Sequence, residues 1–87
     1  MAWTIEFDKK AKKEFSSLGN PIQKQIDKFL LKLIKSNNPR IFGEALKGNL
    51  QSLWRYRVGD YRIICQINNE KITVLILAIG HRKEVYR

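Results

Sequence analysis

Apolar and polar residues alternate from the start of this chain. Trp3-Thr4-Ile5-Glu6-Phe7 places every second side chain on an apolar face, the pattern of a short half-buried strand. Asp8 follows as a helix N-cap. Ala11, Phe15 and Leu18 then recur at helical spacing, and Gly19 supplies a stop. Asn20-Pro21 predicts a second helix, with Asn20 as cap and Pro21 at the first helical position. Its apolar stripe is Ile22, Ile26, Phe29, Leu30, Leu33 and Ile34, ending at Ser36-Asn37-Asn38-Pro39. Two amphipathic helices joined by so short a link form a helical hairpin.

Between Arg40 and Ser52 the pattern is mixed, with a short helix expected around Phe42–Leu46 and a loop at Lys47-Gly48-Asn49. Three strands follow: Leu53–Val58, Tyr61–Ile67 and Lys71–Ile79, separated by turns at Gly59-Asp60 and Asn68-Asn69-Glu70. Turns this short make the strands antiparallel neighbours. Ile72, Val74 and Ile76 oppose Leu75, Leu77 and Ile79, so the third strand is expected in the centre of the sheet, covered on both sides. Gly80 ends it, and a polar tail runs from His81 to Arg87. The expected fold is α+β, one domain over residues 1–87: an N-terminal strand and a helical hairpin packed on one face of an antiparallel sheet.

Composition narrows the class. The 87 residues carry 17 Lys plus Arg against 8 Asp plus Glu, a formal charge of +9 that calls for a polyanionic partner. A single cysteine, Cys65, excludes an internal disulfide and fits a reducing compartment, the cytoplasm. The longest apolar run falls far short of the roughly 20 residues that span a bilayer, and the N-terminus has no signal-peptide pattern. Residues 1–46 hold most of the lysines but only one arginine, Arg40, while Arg55, Arg57, Arg62, Arg82 and Arg87 lie in the second half. Lysines scattered on helices read as a solvated face. Arginine, with its five-donor fork and permanent charge, suits phosphate.

Alternation also assigns faces. Trp54, Tyr56 and Val58 point one way and Arg55 and Arg57 the other. Tyr61, Ile63, Cys65 and Ile67 form an apolar face, leaving Arg62, Ile64 and Gln66 on its reverse. With the helices on the apolar faces, Arg55, Arg57 and Arg62 project together, and the tail is expected to bring His81 and Arg82 beside them. Only Asp60, Glu70 and Glu84 are acidic after residue 46, so the cluster is poorly compensated and reads as a nucleic-acid backbone surface.

Ala45-Leu46-Lys47-Gly48, Trp54-Arg55-Tyr56-Arg57-Val58-Gly59-Asp60-Tyr61-Arg62 and Gly80-His81-Arg82-Lys83-Glu84-Val85-Tyr86 resemble the RelE/ParE toxin superfamily, and within it the RelE branch. The resemblance spans nearly the whole chain. It implies the toxin of a type II toxin–antitoxin pair, a ribosome-dependent endoribonuclease that cleaves mRNA in the A site through the ribose 2′-OH, without metal or other cofactor. It also implies an acidic RelB-like antitoxin, operator DNA bound only through the antitoxin complex, and no membrane partner. By the same resemblance, Arg55 and Arg57 activate or orient the 2′-OH, Arg62 stabilises phosphate charge, Arg82 protonates the leaving group and Tyr86 stacks on a base. Lys47 and Lys83 fall where RNA is contacted. A general base is not settled by these residues, because arginine keeps its proton at any working pH; His81 and Glu84 are the candidates beside no base at all. Two other functions stay open: a ParE-like inhibitor of DNA gyrase, and a degenerate toxin that only binds its antitoxin.

Overall fold

The computed structural model describes residues 3–46 and 53–81. Its order is β1 (Thr4–Phe7), α1 (Lys9–Ser16), α2 (Asn20–Lys35), a 3-10 turn (Pro39–Phe42), β2 (Glu44–Ala45), β3 (Leu53–Val58), β4 (Tyr61–Asn68) and β5 (Thr73–His81). The strands form one sheet in the order β1-β5-β4-β3-β2. Both helices pack on one of its faces, the expected α+β arrangement.

The helix termini follow local chemistry. Asp8 caps α1 by accepting from the Lys10 N–H, and Pro21 sits in the first turn of α2, where its missing N–H costs nothing. The α2 cap is Gly19, one residue ahead of the expected Asn20, and no side chain bonds the free amides there. The α2 stripe buries Ile26, Leu30 and Leu33 against Tyr56, Ile63, Cys65, Val74, Ile76 and Ile79 of the sheet.

Three features differ from the expectation. First, the sheet is mixed: β1 pairs with β5 in parallel, Ile5 opposite Val74 and Phe7 opposite Ile76. Second, the segment expected as a helix around Phe42–Leu46 is a 3-10 turn followed by a two-residue strand that pairs with β3, Glu44 opposite Arg55 and Ala45 opposite Trp54. Gly43 makes that pairing possible: a Cβ there would lie 2.3 Å from the Arg55 carbonyl oxygen and 2.7 Å from the Tyr56 ring. Third, β5 begins at Thr73 instead of Lys71, because Ile72 closes the preceding turn with φ +50°.

β5 is central in its hydrogen bonding but receives helices on one face only among the described residues. It also carries a bulge. Cys65 pairs with Ile76 and Ile64 with Ala78, leaving Leu77 as the extra residue. Ile79 thereby joins Val74 and Ile76 on the core face and is 2% exposed. Beyond the end of β1, α1 takes over the outer edge of β5, and the Glu14 carboxylate accepts the Ile79 N–H at 3.0 Å.

Tyr56 ties these layers together. It is fully buried, meets Phe29 of α2 edge to face at 5.2 Å, and donates its hydroxyl to the Pro39 carbonyl at 2.7 Å. Burial holds its phenol well above the ordinary tyrosine value, so it remains a donor. Tyr56→Phe strands the Pro39 carbonyl in the interior and is expected to cost about 1–3 kcal/mol, read as a lower urea midpoint at unchanged slope.

Candidate functional site

The register of β3 and β4 decides which side chains meet. Tyr56 pairs with Ile63 and Trp54 with Cys65, all facing the helices. On the reverse face Arg55 lies opposite Ile64 and Arg57 opposite Arg62. Arg55, Arg57 and Arg62 therefore share the face of the sheet that the two helices leave open. Gly80 stands opposite Arg62 on β5 and places no side chain at that flank.

The cluster is anchored unevenly. Arg55 is half-buried, with 20% of its side chain exposed, and its Nη2 donates to Glu44 Oε2 across the β2–β3 pair. Arg57 is exposed and Arg62 half-buried. Two shallow pockets border Arg57: one of about 110 Å³ lined by Arg57, Gly59, Asp60, Tyr61 and Arg62, and one of about 130 Å³ lined by Phe42, Gly43, Glu44, Arg55 and Arg57. Three guanidinium groups on rigid strands, with small concave spaces between them, can receive phosphate oxygens through charge-assisted hydrogen bonds.

His81 does not join them. It pairs with Tyr61 and meets that ring edge to face at 5.7 Å, on the side of the sheet that faces the helices. The bulge at Leu77 is the reason: uninterrupted alternation from Val74 places residue 81 on the arginine face, and one extra residue moves it to the other. Lys47, Arg82, Lys83, Glu84 and Tyr86 lie outside the described residues, as does the loop expected at Lys47-Gly48-Asn49.

Cys65 belongs to the core. It is fully buried, its Sγ lies 3.6 Å from the Trp54 carbonyl oxygen, and burial pushes its thiol up to about 12. Arg40, the one arginine of residues 1–46, is used structurally: it donates to Asn69 Oδ1 at 2.8 Å and lies 5.9 Å from the Trp54 ring centre. The residue the sequence reading missed is Glu44. An acid inside the helix expected around Phe42–Leu46 gave no sign that it would be carried onto a strand opposite Arg55.

Comparison with known proteins places this geometry. A family model described as the ParE toxin of type II toxin–antitoxin systems matches residues 5–86. The mRNA interferase toxin RelE of Escherichia coli is 34% identical, over 99% of this chain and 92% of that one. The toxin–antitoxin complex RelBE2 from Mycobacterium tuberculosis contains a similar chain at TM-score 0.84 and 28% identity, covering 94% of this chain and all of that one. A mutant of E. coli toxin RelE in the free state is similar at TM-score 0.80 and 29% identity, covering 98% of this chain and 88% of that one.

The arginine face has a stability cost that can be measured without any substrate. Arg57 and Arg62 oppose each other directly, and like charges at such positions repel. Arg57→Thr is expected to hold or raise stability by a few tenths of a kcal/mol in urea unfolding while eluting from heparin at lower salt. A clear loss of stability would assign Arg57 a structural role instead. Native Cys65 is likewise expected to resist a disulfide-exchange reagent at pH 8 and to react fully once the chain is unfolded in urea, because both burial and its raised pKa withhold the thiolate.

Proposed function

The chain belongs to the RelE/ParE family of toxins from type II toxin–antitoxin systems, on its RelE-like branch, and from that premise we propose that it is an endoribonuclease that cuts mRNA in the ribosomal A site. The observation that carries the reading is the sharing of one open sheet face by Arg55, Arg57 and Arg62 in a chain similar to RelE over nearly its whole length.

The reaction is a transesterification within the substrate. The ribose 2′-oxygen loses its proton and attacks the adjacent phosphorus. The bond from phosphorus to the 5′-oxygen breaks, leaving a 2′,3′-cyclic phosphate and a 5′-hydroxyl. No metal is needed if fixed cations meet the charge that develops on the phosphoryl oxygens. Each preorganised donor at such an oxygen contributes about 3–4 kcal/mol, and Arg55, Arg57 and Arg62 are placed to supply it. The resemblance adds Arg82 as the group that protonates the leaving oxygen, Tyr86 as a base-stacking ring, and Lys47 and Lys83 as backbone contacts. Placing His81 toward the helices removes the support that sequence gave it as a base.

The partner follows from charge. A +9 toxin is held by an acidic antitoxin, as the similar chain in RelBE2 is held in a toxin–antitoxin complex, and DNA is reached through that complex. A gyrase-directed activity is the second reading, favoured by the ParE description of the matching family model.

Induction of the chain in bacteria without antitoxin, with mRNA 5′ ends mapped on translated messages, tests the proposal. New 5′-hydroxyl ends within reading frames are expected, reduced about 10²-fold or more by Arg62→Ala. Growth arrest with intact mRNA would overturn the ribonuclease reading and bring gyrase forward.

A further inference from the structure

The three arginines do not themselves supply a proton acceptor. Arginine stays protonated at working pH, and His81 faces the helices, opposite Tyr61. Among the described carboxylates, Glu6 and Glu44 share this face, and Asp60 and Glu70 lie in turns at its opposite ends, Glu70 at the end away from the Arg57–Arg62 pair. Glu6 lies on β1, three strands from β3 and so roughly 14 Å away at about 4.8 Å per strand. Asp60 lies in the two-residue turn beyond the Arg57–Arg62 pair. Glu44 lies within the sheet, in register with Arg55, and lines the same 130 Å³ pocket as Arg55 and Arg57.

We propose that Glu44 is the general base of the reaction, taking the proton from the 2′-hydroxyl of the nucleotide held by Arg55 and Arg57. The inference rests on the ribonuclease reading above. Four features support it. Glu44 is 70% exposed at its side chain, so the carboxylate is open to substrate. Its described partner is Arg55, through Oε2, which ties the carboxylate to the strand that carries Arg55 and Arg57. Its backbone is fixed, because Gly43 presses against the Arg55 carbonyl and the Tyr56 ring. Finally, a carboxylate among guanidinium groups weakens phosphate binding even as it relieves their mutual repulsion, so phosphate binding alone does not call for it. A face that must also accept a proton needs one.

In the step itself the 2′-hydroxyl proton passes to Glu44, the new bond from 2′-oxygen to phosphorus forms, and the bond to the 5′-oxygen breaks. Arg55, Arg57 and Arg62 hold the phosphoryl oxygens throughout. The 5′-oxygen takes a proton from a second group, the role the resemblance gives to Arg82, and protonated Glu44 returns its proton to water afterwards.

The test is single-turnover cleavage of mRNA on programmed ribosomes by the purified full chain. Glu44→Gln keeps the size and an acceptor for Arg55 but removes the base, and is expected to lower the cleavage rate about 10²–10⁴-fold with ribosome affinity and thermal unfolding unchanged. Glu44→Asp is expected to recover part of the rate. A message with sulfur replacing the 5′-bridging oxygen at the cut site has a leaving group that needs no proton, so the Glu44→Gln defect is expected to persist on it. Rescue by that message, or a Glu44→Gln rate equal to or above wild type, would overturn the assignment, and loss of cleavage confined to Asp60→Asn would move it to Asp60. If the wild-type chain itself left ribosome-bound mRNA intact, the ribonuclease reading would fall and this inference with it.

Discussion

The close approach of Gly43 to Tyr56 is the constraint on which the rest depends. Tyr56 is fully buried in the middle of β3, with its hydroxyl on the Pro39 carbonyl and its ring against Phe29 and Gly43. Those contacts join α2, the 3-10 turn and β2 to the sheet. Because side chains alternate along a strand, fixing Tyr56 inward fixes Arg55 and Arg57 outward. Because Gly43 seats β2, the same contact sets Glu44 opposite Arg55. A tyrosine buried in the core thus determines where three charged groups stand.

How far sequence could see this depends on the range of the interaction. The helices, the three C-terminal strands and the shared face of Arg55, Arg57 and Arg62 were legible, because each follows from periodicity within one element or across one short turn. The parallel pairing of β1 with β5 was not, since an alternating pentapeptide states which face is apolar and nothing about its neighbour. Nor was the bulge at Leu77, where Leu75, Leu77 and Ile79 read as one face until an extra residue moves Ile79 into the core. His81 was misplaced for that reason alone. Glu44 was missed because the two-residue strand carrying it has no periodicity to detect and exists only through its contact with β3.

The bulge also explains why an acidic side chain serves the core of so basic a protein. With β1 ending at Phe7, the outer edge of β5 beyond Ile76 has no strand to bond. Glu14, reaching down from α1, accepts the Ile79 N–H in place of a strand carbonyl. A buried amide without a partner costs about 1–3 kcal/mol, so this contact fixes the position of α1 as well as satisfying a donor.

Among the acids of the described residues, Asp8 and Glu14 hold structure together in different ways: Asp8 caps α1 and Glu14 closes the edge of β5. Glu44 differs from both, for it is mostly exposed, and removing it would leave no amide unpaired. The pair it makes with half-buried Arg55 is open to solvent on the Glu44 side, and such surface pairs typically contribute below about 1 kcal/mol. Folding therefore gives little reason for a carboxylate at this position, and binding to a polyanion gives a reason against it. Proton transfer at the arginine face is the requirement that its position fits.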